Sequence, residues 1–326
     1  MENSTQQVPR QMPLLTEHSI KGLKVSADFS PDSHVTLYHG DRLELLEQIR
    51  RSGDKAELIV TSPPYNVGKE YESPVSLEEY IDLQRLTIEA SLRVLSPTGS
   101  ICWQVGHYIE GSAKAKEAYP LDLVLYPVFK EFELRLRNRI VWHFGHGLHE
   151  THRLSGRHET ILWFTRATED YTFNLDPIRV PQKYPGKRAF TGPNKGQPSG
   201  NPTGKNPSDV WDMPNVKSNH VEKTDHPCQF PVALVERLVL ALTSEGQLVV
   251  DPYLGVGTTA VAAIRHGRRS AGADTESDYL EIARDRIVQA ASGTLPTRPM
   301  NKPIYSPKDG NKLASIPEEW MDLPGD

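Results

Sequence analysis

Three features of these 326 residues predict an α/β domain built on a doubly wound, mostly parallel sheet. Short apolar runs of strand length alternate with amphipathic helical stretches along most of the chain. Two of those runs end at Thr61 and Asp251 in Pro-rich or Gly-rich loops, where such sheets place their ligand sites. The length is enough to bury a sizeable core, and one large domain carrying an insertion is expected.

Residues 35–38 read as the first strand, His39-Gly40-Asp41 as its turn, and 43–50 as a helix that turns Leu45, Leu46 and Ile49 inward. A strand at 57–61 runs into Pro63-Pro64, whose missing N–H groups prevent pairing and force an irregular loop. A long helical pattern over 76–95 precedes a strand at 100–105, and a helix at 121–132 precedes a strand at 134–142. In that last strand Arg135, Arg137 and Arg139 alternate with Leu136, Asn138 and Ile140, which suits a basic strip or the solvent face of an edge strand. A strand at 160–164 follows. Residues 231–243 are helical, with Leu234, Val235, Leu238 and Leu242 on one stripe. A buried strand at 247–250, a helix at 258–266, a strand at 269–273 and a helix at 279–290 complete the alternation, with no internal repeat.

Residues 1–33 lack periodicity and read as an N-terminal arm; 34–290 form the domain, and 291–326 a loop-like tail with Trp320 and Met321 as docking points. An insertion is expected within 175–225. Its heart, 177–207, holds seven Pro, five Gly and six Lys or Arg with no Asp or Glu. Lys and Arg total 37 against 42 Asp and Glu, a net charge of −5, so any nucleic-acid contact must come from a local basic surface of this kind. Arg179, Lys183, Lys187, Arg188, Lys195 and Lys205, interleaved with Tyr184 and Phe190, suit phosphate tracking, although a solvated loop would have the same composition. Cys102 and Cys228 are too few for a disulfide framework, the N-terminus lacks a signal-peptide core, and no apolar stretch approaches the ~20 residues that span a bilayer. A soluble cytoplasmic protein is expected.

Two motifs carry the chemistry. Asp251-Pro252-Tyr253-Leu254-Gly255-Val256-Gly257-Thr258-Thr259 follows a strand and opens a helix, and its glycines let the backbone turn closely against a ligand. Asp274 ends the next strand, roughly 20 residues on, where a carboxylate suits ribose hydroxyls. A dinucleotide fingerprint is disfavoured because the third glycine is missing. Thr61-Ser62-Pro63-Pro64-Tyr65 supplies a rigid carbonyl, a hydroxyl and an aromatic ring. An exocyclic amino group on a base is a poor nucleophile because its lone pair is delocalised, so acceptors for its two hydrogens would help localise that pair. Tyr65 could stack on an extruded base. Ser62 has no basicity of its own at neutral pH.

These motifs, in this order, resemble the permuted β class of S-adenosylmethionine (AdoMet)-dependent DNA amino-methyltransferases, over roughly residues 34–290. The resemblance implies that Ser62, Pro63, Pro64 and Tyr65 serve catalysis. Asp251, Gly255 and Gly257 would hold the methionine part of AdoMet and Asp274 the ribose, with Tyr253 and Thr258 as further cofactor contacts. Asp41 would lie near the cofactor adenine, though a helix N-cap explains it equally well. His226-Pro227-Cys228-Gln229-Phe230-Pro231 resembles a further AdoMet motif, with His226 and Phe230 as contacts, or else a helix entry stapled by Phe230. Tyr253 stands where Phe is usual. Ser62 is commoner in cytosine-N4 enzymes, whereas the continuation Tyr65-Asn66-Val67-Gly68 resembles adenine enzymes. Adenine N6 is the favoured target, cytosine N4 the alternative. Double-stranded DNA as substrate and a homodimer are further implications, and the enzyme would act alone or beside a separate restriction endonuclease. An RNA or protein-amide substrate, or a non-catalytic binder, would keep the fold. His143, His146, His149 and His152 recur every third residue, but Gly145 and Gly147 break any helix between them and no cysteine or carboxylate cluster completes a site, so no metal is expected.

Overall fold

The computed structural model describes residues 22–65, 75–112, 115–145, 147, 149–307 and 315. The chain begins with β1 (Val25–Ser26), β2 (Val35–His39), α1 (Arg42–Ser52), β3 (Ala56–Thr61), α2 (Leu77–Val94) and β4 (Leu95–Val105). A hairpin of β5 (His107–Ser112) and β6 (Ala115–Pro120), then α3 (Leu121–Glu131), β7 (Arg135–His143) and β8 (His158–Thr165), leads into the insertion. Beyond it lie β9 (Val210–Asp212), α4 (Val232–Leu242), β10 (Leu248–Asp251), α5 (Thr258–Arg265), β11 (Arg269–Asp274) and α6 (Ser277–Ser292).

Nine strands form one sheet in the order β1-β2-β11-β10-β3-β4-β8-β7-β9. From β1 to β4 all neighbours are parallel, and β8 enters antiparallel to both β4 and β7. β3 sits in the middle because its six residues are all buried, as a strand covered on both faces requires. Leu58 and Val60 pack with α4, α5 and α6 on one face, and Ala56 and Ile59 with α1, α2 and α3 on the other. A register shift between Ala56 and Leu58 allows this same-face pairing of positions three apart. The result is three layers, helices on both faces of a mostly parallel sheet, as the alternation predicts.

Several expectations are revised. Residues 22–33 are not a free arm: β1 pairs with β2, Leu23 is buried, and Phe29 N donates to Gln48 Oε1 at 2.8 Å. β7 is not an edge strand, since β9 pairs with it from Val141 to His143. Its arginines are not a uniform basic strip either. Arg137 donates to Thr165 Oγ1 at 2.8 Å and lies over the Tyr171 ring, and Arg139 is bonded to the buried carboxylate of Asp122. Part of the tail docks: Arg298 N donates to Glu222 Oε1 at 2.8 Å, and Leu295 and Met300 pack on the core. Trp320 and Met321 lie outside the described residues. Among the described residues, no helix is long and apolar enough to cross a membrane.

Candidate active site

Parallel neighbours β2, β11, β10 and β3 all point their carboxyl ends the same way, so the loops that follow them lie side by side. Segments far apart in sequence thereby meet in one cleft. It encloses about 290 Å³ and is lined by Gly40–Arg42, Ser62–Tyr65, His226, Cys228–Phe230, Pro252–Val256, Thr258, Ala273–Glu276 and Tyr279. Ser62, Pro63, Pro64, Tyr65, Asp41, Tyr253, Gly255, Thr258, Asp274, His226 and Phe230 are all brought together there. Asp251 and Gly257 are not.

Asp251 is fully buried beneath the cleft. Its Oδ1 accepts from Thr61 Oγ1 at 2.5 Å and from Tyr253 N at 3.1 Å, and its Oδ2 from Thr259 Oγ1 at 2.6 Å. Burial pushes its pKa up to about 7 against the pull of those three donors. The carboxyl is therefore a rivet that fastens the end of β3 to the loop after β10, rather than a ligand for the methionine group. Gly257 also serves packing. Its φ is +75°, and a Cβ there would stand 2.7 Å from the Ala283 Cβ, so glycine lets α5 and α6 approach.

Asp274 accepts from Gly255 N at 2.8 Å on one oxygen and from Glu276 N at 2.9 Å on the other. Each carboxylate oxygen has a second lone pair, so the group remains able to accept from ribose hydroxyls. Burial raises its pKa. Asp41 is the N-cap of α1, accepting from Leu43 N at 2.8 Å, and also pairs with Arg42 at 2.9 Å; it lines the cleft as well. The Tyr253 hydroxyl lies 3.2 Å from Thr87 Oγ1, with the Arg42 guanidinium over its ring.

His226 stands over Gly255, where a Cβ would meet its Nε2 at 3.4 Å, with its ring edge-on to Tyr279. Burial, aided by the positive charges of Lys223 and Arg286, lowers its pKa to about 4. Its Nδ1 accepts from Cys228 N at 3.2 Å, which puts the ring proton on Nε2, beside the glycine loop. Phe230 is half-buried, packs on the core at the entry to α4 and forms part of the cleft wall. Sequence reasoning missed what positions this segment. Glu222 is buried; its Oε2 accepts from Val232 N at 2.8 Å, capping α4 from ten residues upstream, while its backbone oxygen accepts from Gln229 Nε2. No local pattern marks such a cap.

Ser62 Oγ and Tyr65 Oη lie 3.0 Å apart, and Tyr65 Oη also reaches the Gln104 backbone oxygen at 3.4 Å. Asn66, Val67 and Gly68 lie outside the described residues. A cavity of suitable size, a glycine cradle, a neutral imidazole and a carboxylate with spare lone pairs fit AdoMet, whose sulfonium is cationic and whose ribose presents hydroxyl donors.

In the insertion, Arg179 is a brace: it pairs with Asp176 at 2.7 Å and donates to Gly204 O at 3.2 Å, the acid lying one residue before the acid-free run. Val180 pairs with Lys205 through the backbone and Arg188 with Pro198, so the segment folds back on itself. Lys183, Lys187, Arg188, Lys195 and Lys205 are exposed, as are Tyr184 and Phe190. Arg188 also donates to Gly196 O at 2.6 Å. Among the histidines, His143 pairs with Asp212 at 2.7 Å, His149 and His152 are exposed, and His146 lies outside the described residues. Among the described residues no group of His, Cys, Asp or Glu is arranged to hold a metal.

A family model described as DNA methylase, of the N6/N4 type, matches residues 56–285. The chain belongs to that family. The methylase is 47% identical over 254 residues to the Type II methyltransferase M.BglII of Bacillus subtilis, covering 78% of this chain and 69% of the relative. It is 32% identical to the DNA adenine methyltransferase YhdJ of Escherichia coli K12, covering 77% of this chain and 82% of that one. A protein from Thermus thermophilus assigned as a DNA modification methylase and complexed with S-adenosyl-L-methionine superposes with a TM-score of 0.54 at 25% identity, over 79% of this chain and 96% of that one. The cytosine-N4-specific PvuII DNA methyltransferase shares the fold, with a TM-score of 0.60 at 21% identity over 83% of this chain and 96% of that one. The methylase is thus an AdoMet-dependent DNA methyltransferase with a Rossmann-like fold.

Proposed function

We propose that the methylase modifies a specific DNA sequence, transferring the AdoMet methyl group to the exocyclic amino nitrogen of an extruded adenine or cytosine. The observation that carries this reading is the shared cleft: Ser62 and Tyr65 line the same 290 Å³ space as Gly255 and Asp274. A nucleophile held by the first pair is within reach of a cofactor held by the second, and the remaining work is orientation. AdoMet, when bound, supplies an electrophilic methyl on a positively charged sulfur.

The chain's own groups do the rest. Asp274 accepts from the ribose, and Gly255 brings backbone close to the cofactor under His226. The neutral His226 adds no positive charge beside the sulfonium. Ser62 and the carbonyl stiffened by Pro63-Pro64 accept hydrogens of the target amino group, and the half-buried Tyr65 ring offers a stacking face. Ser62 in place of a carboxamide or carboxylate favours cytosine N4; the adenine-like signal lies in residues 66–68.

The exposed cations of the insertion are read as the DNA-tracking surface. A homodimer is consistent with Leu83 and Leu86 on α2 and Leu123 and Tyr126 on α3, which are exposed on adjacent helices. A cytoplasmic modification role, alone or beside a separate endonuclease, belongs to the same proposal. Incubating the purified protein with mixed-sequence duplex DNA and labelled AdoMet, then resolving nucleosides by mass spectrometry, tests the reading. N4-methylcytosine or N6-methyladenine is the expected product and identifies the base; no methylated nucleoside, or methylation of RNA alone, refutes it.

A further inference from the structure

Behind the catalytic loop stands a carboxyl group that the motifs do not include. Glu159, at the start of β8, lies beside Gly106, the residue after β4: a Cβ on Gly106 would lie 3.2 Å from the Tyr65 ring and 3.4 Å from Glu159 Oε1. Glycine at 106 leaves room for the ring and the carboxyl to meet. The Gln104 side-chain amide donates to Glu159 Oε2, and the Tyr65 hydroxyl, which donates to the Gln104 backbone oxygen at 3.4 Å, stands beside the same carboxyl. Tyr65 Oη in turn lies 3.0 Å from Ser62 Oγ, at the wall of the cleft. Ser62, Tyr65 and Glu159 therefore stand in line from the cleft into the protein, with Tyr65 between the serine and the carboxyl.

We infer that Glu159 is a positioning residue for methyl transfer, acting through Tyr65 to turn the Ser62 hydroxyl into an acceptor for the target amino group and taking up the proton that methylation releases. This rests on the reading of Ser62 above. With Glu159 ionised, Tyr65 donates to it and Ser62 donates to Tyr65, so the Ser62 lone pairs face the cleft. With Glu159 protonated, the carboxylic acid can donate to Tyr65, the chain reverses, and the Ser62 proton points at the amino hydrogens. Methylation forms an N–C bond as the sulfonium S–CH3 bond breaks, its electron pair staying on sulfur as a neutral thioether, and leaves one proton in excess on nitrogen. That proton passes to Ser62 Oγ as the Ser62 proton passes to Tyr65 and the Tyr65 proton to the Glu159 carboxylate, so each hydroxyl ends neutral, and the original orientation returns when Glu159 releases its proton to water. Ser62 thereby gains the basic partner that its own pKa denies it.

The surroundings of Glu159 suit the role. Burial pushes its pKa up to about 7, against the hydrogen bonds of Gln104 and Tyr65, and raises that of Tyr65 well above the ordinary phenol value. The groups facing it are Tyr65 from the loop after β3, Gln104 from β4 and the uncharged cross-strand Trp142 from β7. Among the described residues no charged side chain shifts it. A carboxyl near neutrality is matched to reversible proton uptake at working pH.

Glu159→Gln keeps the shape and the bond potential but cannot ionise. In single-turnover methylation of duplex DNA, the parent rate should rise with pH through about 7, whereas Glu159→Gln should be slower by on the order of 10²-fold and lack that limb. AdoMet affinity by calorimetry, and base extrusion followed by 2-aminopurine fluorescence at the target, should be unchanged. Tyr65→Phe, which keeps the stacking ring and removes the link, should show the same two losses, and it carries the test if Glu159→Gln does not fold. Parent-like rates in either variant, or a slow enzyme that keeps the pH limb, would overturn the inference. Full activity in Ser62→Ala would instead remove the reading beneath it.

Discussion

Asp251 separates two accounts of the glycine loop. As a cofactor ligand, its loss would weaken AdoMet and spare the fold; as a buried rivet, its loss should cost stability. Asp251→Ala strands the Thr61 and Thr259 hydroxyls and the Tyr253 N–H, all of which donate to the carboxyl. Each stranded donor costs about 1–3 kcal/mol, and rotation of the hydroxyls toward other acceptors recovers part of this, so a net loss of roughly 3–5 kcal/mol is expected near pH 5.5. That is a large share of the ~5–15 kcal/mol that holds a domain together. The loss should depend on pH. The folded pKa of about 7 exceeds the ordinary 3.8, so the folded state holds the proton more tightly and the parent loses stability as pH rises between those values. The parent–variant difference should therefore shrink by about 2 kcal/mol between roughly pH 5.5 and 7.5. Asp251→Asn should keep most of the stability, because Thr259 can turn to accept from the amide, and should lack this pH dependence. Urea unfolding of all three proteins across that range is the assay. If Asp251→Ala unfolds with the parent and only its AdoMet affinity falls, the rivet is wrong and the carboxyl reaches the cofactor.

Gly257→Ala should lower stability by about 2–4 kcal/mol in thermal or urea unfolding, since the new methyl meets Ala283 at 2.7 Å on a backbone with φ of +75°. A parent-like melting curve would show that α6 can yield. His226→Ala should weaken AdoMet about tenfold by calorimetry, the loss of roughly one hydrogen bond. Parent affinity for AdoMet should show no His226 titration near pH 6.5, because its pKa of about 4 leaves the ring neutral there; an affinity change through the ordinary histidine range would place the ring in water. Replacing Lys187 and Arg188 with Ala should weaken DNA binding and reduce the slope of log affinity against log salt by about 1 for each phosphate left unneutralised, with AdoMet binding intact. Lys187→Ala alone is the cleaner variant, since Arg188 also holds Gly196 O. An unchanged slope would move the recognition surface elsewhere.

The sheet and its ligand edge were legible because each rests on local pattern. The buried run before Thr61, the strand–glycine–helix passage at Asp251 to Thr258 and the carboxylate at Asp274 are written in neighbouring residues. So was the irregular loop after Thr61, since two prolines after a strand cannot continue it. The short strand β1 was not legible, having two residues and no pattern of its own, and neither was the hairpin of β5 and β6. β9, three residues long, converts β7 from an edge into an interior strand only through pairing across the insertion. Arg179 looked free because the window of acid-free sequence began one residue after its partner Asp176.

By itself, then, the sequence determined the fold class and the residue types gathered at the carboxyl edge of the sheet, because periodicity and turn chemistry act over a few residues. Only the tertiary structure decided which of those residues face the cleft and which lie beneath it. Asp251 and Asp274 both end apolar strands, yet one is sealed by Thr61 from 190 positions away and the other lines the cavity. Glu222 and Glu159 carry no motif, and their roles exist only because Val232, Arg298, Gln104 and Tyr65 converge on them in space. A buried carboxyl is defined by the donors that the whole fold brings to it, and those donors need not be near it in the chain.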